Sequence, residues 1–248
     1  MKGAMTTQSD RPREGARDSF LPDGFAAWNE EMVERYDIER YYDRAHPIVR
    51  WLERRRLEAL LGLAGHQPGE RVLEVGCGAG HVLERFDGAI HTGIDLSANM
   101  LERTRRRLGD AVELARSSAD MLPFPDGTFD VVLCTEVLEH TPDPAAVIRE
   151  LVRVARPDGR VVVSIPNEAR IDRAKRMLRR VPLLRRWLRT LADEGNEWHL
   201  HHFDLPLLRR ISAGSATIDR LVGIPNRMIP LRYVALLGAQ SAPDRRSS

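Results

Sequence analysis

The residues best suited to ligand chemistry lie in the stretch Val-Leu-Glu-Val-Gly-Cys-Gly-Ala-Gly, which occupies positions 72–80. Its three glycines, Gly76, Gly78 and Gly80, lack a Cβ, so the backbone there can turn sharply and lie close to a ligand. A dinucleotide loop of the form G-x-G-x-x-G requires a glycine where this chain has His81. The acid in the stretch would also repel a pyrophosphate, whereas a cofactor with a cationic amino-acid end would accept it. The alternative is an ordinary strand-to-helix turn without a ligand.

Two further acids follow the next two predicted strands. Asp95 closes the strand after the glycine loop, and its carboxylate can accept hydrogen bonds from both hydroxyls of a ribose. Asp120, within Ser-Ala-Asp-Met-Leu-Pro-Phe, can accept a hydrogen bond from the exocyclic amine of adenine, and Met121 or Leu96 can pack against the adenine ring. Either acid alone is equally consistent with a solvated turn. Their order at successive strand ends predicts a nucleoside-binding edge.

Strands and helices alternate around these residues. Such alternation predicts a parallel sheet covered by helices on both faces, with ligands at the carboxyl ends of the strands. A turn at 157–159 and a closing hairpin complete the pattern. The predicted strands are 71–75, 90–94, 112–115, 129–134, 160–165, 216–223 and 231–237, and the predicted helices are 47–63, 79–86, 97–108 and 144–155.

The chain of 248 residues is long enough for one domain with a buried core. Two cysteines form no disulfide framework and predict a cytoplasmic protein, and the lack of a run of about 18 apolar residues predicts no transmembrane helix. The net charge of +2 is nearly neutral and indicates no particular partner. The predicted organisation is a disordered N-terminus at 1–24, a domain at 25–240 and a disordered tail at 241–248. Within the domain we expect core motifs at 70–166, a basic helical insertion or lid at 167–203 and a hairpin at 216–238.

Five motifs together resemble the class I S-adenosylmethionine-dependent methyltransferases of the type-11 group. The resemblance implies an α/β, Rossmann-like fold with a seven-stranded, mostly parallel sheet in the order 3-2-1-4-5-7-6 and helices on both faces. The motifs are the glycine-rich stretch, Gly-Ile-Asp-Leu-Ser at 93–97, Ala-Asp-Met-Leu-Pro-Phe at 119–124, Phe-Asp-Val-Val at 129–132 and Val-Leu-Glu-His at 137–140.

The same resemblance implies S-adenosylmethionine as the cofactor. It assigns Glu74 and the glycines to the methionine end, Asp95 to the ribose, and Asp120 with Met121 to the adenine. A tyrosine of the N-terminal cover is predicted to close over the methionine end, with plain packing as the alternative. The complete predicted cofactor set is Tyr42, Glu74, Gly76, Cys77, Gly78, Gly80, Asp95, Leu96, Asp120, Met121 and Glu136.

Methyl transfer from a sulfonium needs alignment of the reactants and, for a protonated nucleophile, removal of a proton. His140, after the fourth strand, and His199, in the polar segment 193–203, are predicted to be the catalytic residues. The alternatives are local packing for His140 and a surface loop for His199. The Asn/Asp-Pro-Pro-aromatic and Pro-Cys motifs of nucleic-acid base methyltransferases are absent, so a nucleic-acid partner is disfavoured.

The spacing Glu136-x-x-Glu139-His140 is similar to that of the polyprenyl-dihydroxybenzoate O-methyltransferases of ubiquinone biosynthesis. In that family the corresponding residues are implicated in a divalent-metal site, which implies a Mg²⁺ that would hold a catecholate oxygen. The chain departs from the family after the fifth strand, where it reads Ser-Ile-Pro-Asn-Glu. The alternative is an ordinary loop, and we predict no metal.

Residues 167–191 carry nine lysines and arginines among apolar residues at helical spacing, with Pro182 beginning a second piece. Such a basic amphipathic pair, with Trp187 on its apolar face, suits an anionic membrane surface. In the first alternative the apolar stripe packs on the domain and the arginines form a solvated face. In the others the arginines bind a phosphate-bearing substrate or a nucleic acid. No aromatic residues interleave the arginines as a single-strand stacking platform would require.

These observations predict a methyltransferase enzyme that acts on a small-molecule or lipid-like acceptor, at an oxygen atom. From the basic segment we further expect the protein to bind peripherally to the inner face of the membrane. The alternatives are a non-catalytic module that binds S-adenosylmethionine without turnover, and an RNA methyltransferase that binds RNA through its arginines.

Overall fold

A computed structural model describes residues 24–35, 46–179 and 198–239, which include a seven-stranded sheet in the order β3-β2-β1-β4-β5-β7-β6. This order is the predicted one. The strands are β1 (Arg71–Val75), β2 (Ile90–Asp95), β3 (Val112–Arg116), β4 (Phe129–Thr135), β5 (Ala155–Pro166), β6 (Ala216–Ile224) and β7 (Arg232–Ala239). The helices in the same ranges are α1 (Phe25–Arg35), α2 (Pro47–Ala64), α3 (Ala98–Leu108), α4 (Pro144–Val154), α5 (Glu168–Arg179) and α6 (Leu205–Ser212).

The sheet is buried on both faces, which explains why its central strands are continuous apolar runs. Successive residues of β1 point to opposite faces: Leu73 packs with α4 and α6, and Val72 packs with α2 and α3. The first five strands pair in parallel, and β7 pairs antiparallel with both β5 and β6. The carboxyl ends of β1 to β5 therefore lie along one edge, where the predicted site residues follow.

Two sequence predictions of local structure were wrong. Residues 79–86 were predicted to be a helix but form turns and a short 3₁₀ helix, Leu83–Arg85. The glycine loop is the physical reason, because its left-handed backbone angles continue to Gly80, at φ 79°, and interrupt a helix. The turn predicted at 157–159 lies within β5, beside a register shift against β4. Gly159 permits this irregularity, since a Cβ there would lie 3.0 Å from backbone atoms of Arg156.

Some predictions fall outside the described residues. These concern Tyr42, the second half of the basic segment and nearly all of both termini. In the described part of the chain, no helix has the length and apolar character needed to cross a membrane.

A buried arginine connects α2 to the edge of the sheet where the site lies. Arg56 is almost inaccessible to solvent; its Nε donates to Glu53 at 3.0 Å and its Nη1 donates to the Ser164 hydroxyl at 3.2 Å. Ser164 donates in turn to Glu136 Oε1 at 2.9 Å. Arg232 pairs with Glu53 and lies 3.2 Å from Glu136 Oε2. This network holds the carboxylate of Glu136 between Ser164, which connects it to the buried Arg56, and the half-buried Arg232.

We expect the substitution Arg56→Met to lower the free energy of unfolding by up to about 3–5 kcal/mol. The reason is that Glu53 and Glu136 must then share Arg232, and that the buried Glu74 loses the attraction of Arg56.

Arg55→Met is the matched control, since Arg55 is exposed and, among the described residues, forms its ion pair with the exposed Glu58, 3.6 Å away. The control should change stability by less than about 1 kcal/mol. Urea unfolding monitored by circular dichroism measures both. Equal stability of the two variants would contradict a structural role for the network.

Candidate functional site

The glycine loop folds against the carboxyl end of β2. The backbone N–H groups of Gly76 and Cys77 both donate to the Ile94 carbonyl, at 2.7 and 2.8 Å. The N–H of Gly78 donates to Asp95 Oδ2 at 2.8 Å. Gly76 and Gly78 have φ angles of 74° and 52°, a region that favours glycine. A Cβ added to Gly78 would meet no heavy atom within 4 Å, so its backbone is open to a ligand.

Asp95 joins the loop to the start of α3. Its Oδ1 accepts from the Ser97 N–H at 2.9 Å, and Ser97 caps α3 by accepting from Met100 N. Burial raises the pKa of Asp95, although the hydrogen bonds from Ser97 and Gly78 oppose the shift. A carboxylate offers about four lone-pair sites. Asp95 therefore keeps acceptor capacity for a pair of hydroxyls.

Glu74 provides a buried carboxylate at the end of β1. Thr135 donates to its Oε1 at 3.4 Å, and its Oε2 is buried without a hydrogen-bond partner among the residues that the structure describes. Burial raises the pKa of Glu74 to about 8, against the attraction of Arg56. A buried acceptor without a partner is costly. A cationic amine bound next to this oxygen would satisfy it.

If Glu74 binds a cationic group, ligand affinity is expected to depend on pH. With a pKa of about 8 the carboxyl is mostly protonated at pH 7, so binding of a cation must release its proton. Affinity should therefore rise with pH, by up to about tenfold per unit between about pH 6 and 7.5, below the titration of a ligand amine. The stability of the ligand-free protein depends on pH in the opposite direction. Its free energy of unfolding falls as pH rises from 4.5 to about 8, because Glu74 loses its proton more readily in the unfolded chain.

Calorimetry with S-adenosylmethionine in two buffers of different ionisation enthalpy measures the released proton directly. The variant Glu74→Gln should lose both the proton release and the pH dependence. Glu113→Gln, at an exposed position on β3, is the control and should keep both. Proton release that persists in Glu74→Gln would assign the titration to another group.

The segment after β3 places Asp120 and Met121 near Asp95 and Leu96. Arg116 Nε donates to the Leu96 carbonyl at 2.8 Å, and the N–H of the next residue, Ser117, donates to the Asp95 carbonyl at 3.2 Å. The Ser118 hydroxyl donates to Asp120 Oδ1 at 2.5 Å, and Ser117 Oγ donates to the Met121 carbonyl at 2.9 Å. The structure thus brings all four predicted residues to neighbouring strand ends.

Two predicted cofactor residues are placed differently from the rest. The Cys77 side chain is buried in the core, where burial raises the pKa of its thiol, so only its backbone borders the loop. Glu136 adopts a left-handed conformation, with φ 55°, at the turn after β4. Both oxygens of its carboxylate are engaged by Ser164 and Arg232. A direct contact between either side chain and a cofactor remains a prediction.

The two predicted catalytic histidines lie together. The rings of His140 and His199 are 4.9 Å apart between centroids. His140 Nδ1 is 3.1 Å from the Trp198 carbonyl, and burial lowers the pKa of His140 to about 4, so its ring is neutral at pH 7. His199 Nδ1 is 2.5 Å from Glu168 Oε1. Since an ionised carboxylate only accepts hydrogen bonds, Nδ1 is the donor in this contact, and in the neutral tautomer that donates from Nδ1 the other ring nitrogen, Nε2, carries a lone pair.

Glu168 is a site residue that the sequence analysis missed. It begins α5, is 5% exposed, and its Oε2 lies 3.5 Å from His202 Nε2. Its N–H donates to the Phe203 carbonyl at 3.0 Å, which holds the start of α5 against the histidine segment. The only available signal was an acid directly after the fifth predicted strand.

Glu139, His140 and His199 offer ligand atoms within 4.8 Å of one another. Glu139 is buried, its Oε2 has no partner in the described part of the chain, and burial raises its pKa well above the usual range. The group is therefore compatible with a cation. It differs from the sequence interpretation, because His199 takes the place that the spacing assigned to Glu136.

Known proteins resemble this chain in sequence and in structure. The family described as "Methyltransferase domain" matches residues 73–163. A ubiquinone biosynthesis O-methyltransferase of Vibrio campbellii is 35% identical over 166 residues, which cover 62% of this chain and 69% of that protein. A 27-O-demethylrifamycin SV methyltransferase of Amycolatopsis mediterranei is 33% identical over 153 residues, and the chain spans 56% of its length.

Among solved structures, a Burkholderia thailandensis 1,6-didemethyltoxoflavin-N1-methyltransferase with bound 1,6-didemethyltoxoflavin and S-adenosylhomocysteine has the same fold. The TM-score is 0.58 at 19% identity, covering 90% of this chain and 91% of that one. At this level of identity the likeness concerns the fold alone.

Proposed function

Because the chain belongs to the S-adenosylmethionine-dependent methyltransferases, we propose that it methylates an oxygen atom of a small-molecule acceptor. The contact between Glu168 and His199 is the observation that supports oxygen most directly, since a hydroxyl nucleophile requires a base. The two relatives named above are O-methyltransferases by their names, which points to the same atom.

The described residues fit the cofactor of this family. S-adenosylmethionine supplies an activated methyl group on a positively charged sulfur. The unpartnered Oε2 of Glu74 suits its ammonium group, and the remaining acceptor sites of Asp95 suit the ribose hydroxyls. Asp120 and Met121, at the neighbouring strand end, suit the adenine. The backbone of Gly78 is open to close approach.

We assign proton removal to His199 Nε2. Glu168 holds Nδ1 and stabilises the imidazolium that forms when the acceptor hydroxyl loses its proton. His140 packs against the His199 ring and stays neutral, so it adds no repelling charge when His199 is protonated. In this proposal His140 forms a wall of the site, and the catalytic role predicted for His140 from the sequence stays a prediction.

The experiment that tests the function has two parts. Calorimetry should detect binding of S-adenosylmethionine, and absence of binding at near-millimolar cofactor would refute the methyltransferase assignment. Profiling of methyl transfer from labelled cofactor into small-molecule and lipid extracts should then find an O-methylated product. Binding without turnover on any extract would favour the non-catalytic alternative.

A lipid-like acceptor at a membrane surface is a finer version of the same proposal. It is supported by the exposed arginines of α5, the described part of the basic segment. The accompanying cytoplasmic location is supported by the two cysteines, Cys77 and Cys134, which are free thiols buried in the core. Co-sedimentation should show more binding to anionic than to neutral vesicles, and equal binding would remove the membrane from the proposal.

A further inference from the structure

A polar groove lies between α5, the start of β7 and the segment that leads into α6. Its cavity volume is about 490 Å³. The lining is dominated by hydrogen-bond donors, supplied by Asn167, Arg170, Arg173, Arg176, His202 and Tyr233. None of these residues belongs to the predicted cofactor set.

The groove is lined by three arginines and two carboxylates, Asp172 and Asp204, so positive charge is in excess. Arg170, Arg173 and Arg176 follow one another at three-residue spacing on α5, and none forms an ion pair within the residues that the structure describes. Asp204 uses Oδ1 to cap α6 by accepting from Leu207 N at 2.8 Å. Asp172 Oδ2 lies 3.4 Å from His202 Nε2. Three guanidinium groups are thus left to attract an anion.

The hydroxyl of Tyr233, which also lines the groove, is positioned to donate a hydrogen bond. Asn167 Nδ2 donates to the Tyr233 hydroxyl oxygen at 3.3 Å and to the Pro230 carbonyl at 2.9 Å. The phenol therefore accepts from the protein, and its own hydrogen has no acceptor among the described residues. Planar guanidinium groups together with one O–H donor can donate hydrogen bonds to the oxygens of a phosphate.

The groove is connected to the proposed base through one carboxylate. His202, in the groove lining, lies 3.5 Å from Glu168 Oε2, while Glu168 Oε1 contacts His199 Nδ1 at 2.5 Å. The groove is therefore joined to His199 through the His202 and Glu168 side chains, while His199 itself is not among the residues that line it. We propose that the groove binds a phosphate group carried by the methyl acceptor, an inference that rests on the proposed methyltransferase function.

The test measures binding of inorganic pyrophosphate to the full-length protein by calorimetry. The variant Arg170→Gln/Arg173→Gln should weaken binding by about tenfold or more, because charge-assisted hydrogen bonds to the anion are lost. Tyr233→Phe should weaken it by roughly threefold to tenfold through loss of one donor. The control is Arg209→Gln/Arg210→Gln, an exposed pair on α6 outside the groove, which removes the same charge and should leave affinity unchanged.

Binding of S-adenosylmethionine is measured in parallel and should be unchanged in the groove variants. If wild-type protein binds pyrophosphate but not S-adenosylmethionine, the methyltransferase proposal fails and the anion groove stands. Equal pyrophosphate affinity in the groove variant and the control overturns the groove. Binding to phosphatidylglycerol vesicles without any binding of pyrophosphate also overturns it, because the arginines then serve a membrane surface.

Discussion

Replacement of His199 by alanine is expected to lower kcat of methyl transfer by roughly 10²- to 10⁴-fold, the range that a positioned general base contributes. The affinity for S-adenosylmethionine should stay the same, because His199 lies with Glu168 and His140, apart from the glycine loop. Single-turnover rates on the acceptor found by profiling, together with calorimetry on the cofactor, separate the two effects.

The role of Glu168 gives this prediction a second and sharper form. Glu168→Gln keeps the shape of the contact with His199 Nδ1 but removes the charge that stabilises the imidazolium, so kcat should fall by about tenfold or more. Glu113→Gln is the matched control, because Glu113 is exposed on the edge strand β3 and lines neither the groove nor the histidine site, and it should retain nearly full activity. The pH–rate profile should change in Glu168→Gln and not in the control.

Two results would contradict the base assignment. Full activity of His199→Ala would show that the acceptor reaches the site already ionised. Loss of wild-type activity in EDTA, with recovery on addition of Mg²⁺, would instead assign His199 to a metal site with Glu139 and His140, whose ligand atoms lie within 4.8 Å.

The parts of this site that the sequence predicted are those carried by local pattern. The glycine loop follows β1, Asp95 ends β2 and Asp120 lies shortly after β3. Parallel pairing brings these consecutive strand ends to one edge. The strand order followed from the motif resemblance and was confirmed. The helix predicted at 79–86 failed because apolar periodicity does not register the backbone angles that a glycine loop imposes.

The parts that the sequence did not predict depend on long-range contacts. Glu168 and His199 are 31 residues apart, and Arg56 and Ser164 are 108 residues apart. No spacing rule connects such pairs, since each is created by the packing of a helix onto a strand end. The segment holds three histidines, His199, His201 and His202, within four residues, but only the position of α5 shows that His199 contacts Glu168.

Replacement of Gly76 by alanine is expected to destabilise the fold and to remove cofactor binding. A Cβ at Gly76 would lie 2.3 Å from Val137 Cγ2, and φ is 74°. The left-handed angle alone costs about 1–2 kcal/mol for a residue with a Cβ, and overpacking adds typically 1–3 kcal/mol. Either the glycine loop or the turn after β4 must shift, and a shift of the loop displaces the backbone N–H groups that now donate to Ile94.

Gly78→Ala separates these two costs. Gly78 is also left-handed, with φ 52°, but an added Cβ meets nothing within 4 Å, so only the conformational cost of about 1–2 kcal/mol applies to stability.

The steric cost at Gly76 can also be removed, because Val137→Ala deletes the clashing methyl groups. The double variant Gly76→Ala/Val137→Ala should therefore show an interaction energy of about 1–3 kcal/mol in the favourable direction. Urea unfolding of the four proteins of this cycle measures it, and additive effects would show that Val137 does not set the shape of the glycine loop.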